Sequence, residues 1–172
     1  MDQRVLSVLE YDKILRMLTA CANCCVGREL AAALIPQSRL AAVERELSLT
    51  AEAEAYLYRT GTSPVQEFND AREPLRQARA ISAFTCKELL DVLSCLRALR
   101  TAANRLAEPE TEGVILGRMA ENLPVLKPQE SEISRCILSE EEVADQASHE
   151  LASLRQKLRR THAKARERLN DM

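Results

Sequence analysis

Tryptophan is absent from this chain, and three Tyr with two Phe leave aromatics at 3% of its 172 residues. Strands favour aromatic and β-branched side chains, so a sequence this poor in rings and rich in Leu and Ala points to helices. Glycine is nearly as scarce, at four, and proline stops at six, so long uninterrupted elements are allowed. No run of about 18 apolar residues exists, which excludes an obvious membrane-spanning helix. The opening MDQRVLSVLEYDK is charged where a signal peptide would be basic and then apolar. These absences predict a soluble, cytoplasmic protein with no membrane partner and with reduced cysteines.

Catalytic patterns are missing too. There is no GxxxxGK[ST] phosphate loop, and Gly113 with Gly117 in GVILG lacks the lysine that would suggest one, so no ATP-binding residue is expected in this chain. The two histidines, His149 and His162, have no Ser or Cys nucleophile motif near them, and no catalytic residue is assigned. Three of the six cysteines, Cys21, Cys24 and Cys25, crowd into CANCCVGREL. A structural zinc site takes four N or S ligands, usually from two pairs. Cys86, Cys95 and Cys136 are single and scattered, so no metal ligand is assigned either. The thiols read as small apolar residues at a helix junction.

What is present is helical periodicity cut into pieces by Pro and Gly. In VLEYDKILRMLTACA, the residues Leu9, Ile14, Leu15, Leu18 and Cys21 or Ala22 recur at three- and four-residue steps, the spacing of one buried helical face, and Asn23 follows as a cap. A second helix, near Cys25 to Leu34, stops before Pro36. Ser38 is placed to cap a longer third helix that Gly61 and Pro64 end. In TCKELLDVLSCLRALRTAANRL, Thr85 and Glu88 have capping-box spacing. Leu89, Val92, Leu93, Leu96, Leu99, Ala103 and Leu106 then form a wide apolar face that predicts a central core helix. The expected fold is all-α: a helical core over 1–147, followed by a long helix from 148 to 172.

That last helix, free of Gly and Pro, carries Leu151, Leu154, Leu158, Ala165 and Leu169 as a narrow coiled-coil-like seam. Residues 151–172 hold seven Lys or Arg against Glu167 and Asp171, a net +5, which leaves −7 for residues 1–150 of the total −2. Lys157, Arg160, Lys164 and Arg168 fall on one flank of the seam, and Arg155, Arg159 and Arg166 on the other. Two readings follow. Either the first flank lies along a phosphate backbone, or both flanks pair with acidic helices such as the one carrying Glu44, Glu46, Glu52 and Glu54. The pattern is still running at Met172, as expected of a segment of a longer helix.

Three stretches, taken in order, resemble one family. VLEYDKIL with CCVGRELAAALIP is similar to the opening of the MutS-type ATPases of the second bacterial branch. NDAREPLRQARAISAFTCKELLDVLSCLRALRTAANRL resembles the stretch that follows there, and EVADQASHELASLRQKLRRTHAKARERL the segment leading into that family's lever helix. The resemblance implies an N-terminal core and lever base with a MutS-like helical core. The parent would be a homodimeric clamp driven by ATP and Mg and bearing an Smr-type endonuclease domain, with branched DNA or the ribosome as its target. Suppression of homologous recombination and rescue of stalled ribosomes are the implied roles, while the ATPase and nuclease residues would lie outside this chain. Under it, CANCCVGREL is the junction of the first two core helices, with Cys24 and Cys25 standing where capping and packing residues would be. The rival reading is a free-standing helical adapter that binds a protein through its C-terminal coiled coil.

Overall fold

The computed structural model describes residues 3–81, 83–107 and 114–170. Among them the chain is all-α, with one isolated antiparallel bridge, Ile137 to Val143, and no longer strand. No helix is long and apolar enough to cross a membrane.

The first periodic stretch forms two helices rather than one: α1 (Gln3–Val8) and α2 (Tyr11–Cys21). The break is at Glu10, whose φ of 53° is left-handed and which no glycine or proline announces. Lys13 is held to Glu10 at 2.5 Å across the new turn. The expected buried face is not buried: Ile14 is 56% exposed, Leu18 45% and Leu9 60%. Periodicity reports that a helix has an apolar face, not that its cover lies in the same chain.

Ala22, not Asn23, closes α2, its N–H bonding to the Thr19 carbonyl. Helix α3 (Cys25–Ala32) then starts from Cys24, whose sulfur accepts the Gly27 N–H at 3.3 Å. A thiol does the work of a serine cap here. Gly27 suits it, since a Cβ at that position would come within 3.2 Å of the Cys24 sulfur. Helix α4 (Leu40–Thr60) begins one residue later than Ser38 allows, from Arg39 and without a side-chain cap. It ends at Gly61, left-handed at φ 66°.

Helix α5 (Arg72–Ile81) is tied back to α3 by Arg72, which bridges Glu29 and Asp70 at 2.5 Å each. Helix α6 (Cys86–Leu106) carries the capping box as expected: Glu88 N–H donates to the Thr85 hydroxyl, and Thr85 N–H to the Glu88 carboxylate. It buries Leu93, Ala98, Ala102, Ala103 and Leu106, which makes it the spine of the core. Tyr56 of α4, Leu106 and Ala120 of α7 (Val114–Glu121) form the central cluster, with Leu116 packed against it.

Glu52 of α4 reaches the start of α7 and accepts the N–H groups of Ile115 and Leu116 at 2.9 and 3.0 Å. One of the acidic residues considered as a partner for the last helix is therefore occupied as a tertiary cap. Helix α8 (Lys127–Cys136) has Pro128 in its first turn, where a missing N–H costs nothing. Its Glu130 takes a two-pronged contact from Arg100 at 2.8 and 3.0 Å, which docks α8 on α6. A tight turn then brings Ala144 N–H to the Cys136 carbonyl and launches α9 (His149–Asn170).

Candidate nucleic-acid interface

The start of α9 is fixed by three side chains. Ser148 accepts the Leu151 N–H at 3.1 Å, an N-cap that sets where the helix begins. Arg155 donates to the Val143 carbonyl at 2.8 Å and to the Asp145 carboxylate. Arg159, one turn on, donates to the other Asp145 oxygen at 2.9 Å. The two guanidinium groups hold the Asp145 carboxyl below its ordinary range, Arg155 contributing more. Two positive charges share one negative charge there, so the Arg155–Asp145–Arg159 cluster keeps one unit of positive charge.

Beyond this anchor α9 stands clear of the body. Every described residue from Gln156 to Asn170 is exposed. The seam is bare: Leu154 is 55% exposed, Leu158 58% and Leu169 71%. Neither acidic-helix pairing nor folding of this segment back onto the body occurs among the described residues, because nothing beyond the Asp145 contacts holds it. Lys157, Arg160, Lys164 and Arg168 are all exposed and make no ion pair among the described residues. The helix brings these four together as one free cationic flank. The opposite flank divides: Arg155 and Arg159 are consumed by Asp145, and Arg166 is exposed.

Asp145 was not legible as part of this site. It lies ten residues before Arg155 with no periodic relation to it, and only the Ile137–Val143 turn makes the contact possible.

The thiols make helix and loop contacts. Cys24 caps α3, and Cys25 points its sulfur at the Phe68 carbonyl, 3.8 Å away. Burial, reinforced by neighbouring Cys25 and Asp70, pushes the Cys95 thiol up. No group of three or more His, Cys, Asp or Glu is placed to hold a metal among the described residues. Gly117 lies inside α7 and builds no phosphate loop.

No protein-family model matches the chain. Individual relatives do. It is 36% identical over 174 residues to Endonuclease MutS2 of Brevibacillus brevis. The protein of that name from Acetivibrio thermocellus is 34% identical over 175 residues, and that from Geobacillus sp. 36% over 175. Each alignment takes in 100% of this chain. The chain belongs to the MutS2 family. It spans 22% of the length of the MutS2 relatives it matches. The capping box, the α2–α3 junction and the basic last helix are thus features of a MutS2 segment.

Proposed function

We propose that this MutS2 segment is the N-terminal core and lever base of a clamp protein, residues 1–147 forming the core and 148–172 the start of the lever. Its α9 meets the phosphate backbone of a bound nucleic acid through Lys157, Arg160, Lys164 and Arg168. The observation that carries this is the free flank itself: four cations within 12 positions, all exposed, none neutralised by the described residues. Charges meant for an internal coiled-coil partner would face acidic residues of another helix, whereas among the described residues the one carboxylate that another segment brings into an ion pair with α9, Asp145, is spent on the other side.

In the whole protein, ATP with Mg would supply the energy for opening and closing at residues outside this chain, and an endonuclease activity such as the relatives' name states would act on the captured strand. The parent is proposed to be a homodimer on branched DNA or the ribosome, acting in suppression of recombination or in rescue of stalled ribosomes. The arithmetic of the site gives the test. Four phosphate contacts predict a slope of about −3.6 in log affinity against log salt on duplex DNA, at roughly −0.9 per phosphate. The −7 of residues 1–150 opposes binding, so the complex should be measurable only at low ionic strength. Replacing all four by Glu should abolish binding with helicity intact, since the seam is untouched. Undiminished binding by that variant would remove α9 as the contact.

The bare seam of Leu154, Leu158 and Leu169 favours a second reading, an adapter that docks a partner helix. It predicts that Leu154→Gln with Leu158→Gln loses a protein partner while retaining the salt-dependent binding of DNA.

A further inference from the structure

On the side of α9 away from the leucines, His149, Ala152, Ser153, Gln156 and Arg159 line an open groove of about 370 Å³. Neither the family resemblance nor the basic flank assigns it a role. Its lining is half apolar, and its polar half can donate hydrogen bonds: an imidazole, a hydroxyl, a carboxamide and a guanidinium. Arg159 is also held in place by Asp145, so its orientation is fixed before any ligand arrives.

Position along the helix matters as much as chemistry. His149, Ser153, Gln156, Arg160, Lys164 and Arg168 follow one another at steps of three or four residues, mostly four, each four-residue step rising about 6 Å. At about 100° per residue they stay within roughly 120° of arc, so they form one ridge that starts in the groove and runs into the basic flank. The ridge is about 28 Å long. Its step is close to that between successive phosphates of an extended strand. A straight ridge of this length cannot follow the backbone of a rigid duplex, which winds away from it. An unpaired strand can straighten along it. Glu167, at the angle of His149, and Glu150, at that of Arg168, lie within the same arc, which therefore holds the four cations of the flank together with two carboxylates and stays net positive.

We propose that the groove and the flank together form a track for a single, unpaired nucleic-acid strand, with His149, Ser153, Gln156 and Arg159 seating its backbone at the base of α9. This rests on the reading of the flank as a phosphate contact and goes beyond it, by naming the strand form bound and the residues that select it. No Phe, Tyr or Trp lies in α9, so the track grips mainly phosphates and sugars. It is therefore indifferent to base sequence and strongly dependent on salt.

Fluorescence anisotropy at low salt, with labelled single strands and blunt duplexes of equal length, tests this on the 172-residue chain. The single strand should bind about tenfold more tightly than the duplex, whatever its sequence, because only it engages the groove. His149→Ala with Ser153→Ala and Gln156→Ala should weaken the single strand about fivefold, the loss of roughly one net hydrogen bond, and leave the duplex unchanged. Gln156 is exposed, so Gln156→Ala alone provides a charge-neutral variant without a folding risk, and it should show part of the same selective loss. Equal affinity for both forms, or groove variants without effect, overturns the track while leaving the flank reading standing. Binding of both forms that survives charge reversal of Lys157, Arg160, Lys164 and Arg168, or no binding of either form, overturns the flank reading and the track with it.

Discussion

Thr85 and Cys24 cap their helices with different atoms, and the difference is measurable. Thr85 exchanges two bonds with Glu88, so Thr85→Ala should cost about 1 kcal/mol in denaturant unfolding. Cys24 offers a sulfur, a weak acceptor, to Gly27. Cys24→Ser should stabilise the chain by a few tenths of a kcal/mol, provided the shorter C–O bond still reaches the Gly27 N–H. No change, or a loss, would mean that the sulfur's packing outweighs its bond. Arg72 makes a third local test through acid. Its hydrogen bonds hold the Asp70 carboxyl down to about 2 from an ordinary 3.8, and Glu29 is lowered by the same guanidinium. Because the folded values lie below the unfolded ones, the contact stabilises fully above about pH 5 and its contribution disappears as pH falls toward 2. An NMR titration of the Asp70 carboxyl should find a midpoint near 2, with amide protection in α3 and α5 falling over the same range. A midpoint near 3.8 would show that Arg72 is not engaged in solution. Alkylation mapped by mass spectrometry should label exposed Cys21 first and Cys95, half-buried and with its thiol pushed up, last.

The elements depend on one another through side chains that local sequence does not advertise. Glu52 satisfies two backbone N–H groups of α7 from a helix more than 60 residues away. Glu52→Ala should therefore cost about 1–2 kcal/mol and raise amide exchange at Ile115 and Leu116. Glu52→Gln retains one acceptor oxygen and should recover part of the loss. Unchanged exchange at both amides would show that α7 is held by Leu116 and Ala120 alone. The same contrast explains what the sequence reveals about the fold. Helix α6 was readable because its start is a local four-residue device and its burial follows a clean period; α4 was readable at its end because Gly61 supplies the left-handed residue a helix terminus uses. The break at Glu10 was not, since VLEYDK keeps its period across it and Glu has no special claim on positive φ. Helix α5 escaped the periodicity argument as a strongly polar segment joined to the body by ions. The four flank residues of α9 could be placed together from spacing alone, but whether they were free could not, because that depends on where Asp145 and Glu52 are folded.

At the scale of the molecule, an acidic body carries a basic rod with a bare apolar seam. The core is small: its central cluster is Tyr56, Leu106 and Ala120, and no large side chain is fully buried among the described residues. Meanwhile Met17, Leu30 and Leu40 on α2, α3 and α4, and Ile35 between α3 and α4, are each more than 60% exposed. With so small a core and so much apolar surface open to solvent, the chain should unfold at modest denaturant concentration. Since α9 does not fold back, its seam is free to pair with that of a second copy. Such a pair would bring two basic flanks together, and like charges at the edges of a helical seam repel. Screening by salt should relieve that repulsion, so self-association through Leu154, Leu158 and Leu169 is expected to grow with ionic strength. Binding of nucleic acid by the same helix should weaken over the same range, because its counterion release is opposed by added salt. Light scattering across a salt series can follow the first effect and anisotropy the second. Replacing the three leucines by Gln should remove the salt-promoted growth in mass and leave the salt slope of binding in place. Growth that persists in that variant would move the self-associating surface to the exposed face of α2, where Ile14→Gln with Met17→Gln would then abolish it; association that falls as salt rises would mean instead that the basic rod of one copy binds the acidic body of another.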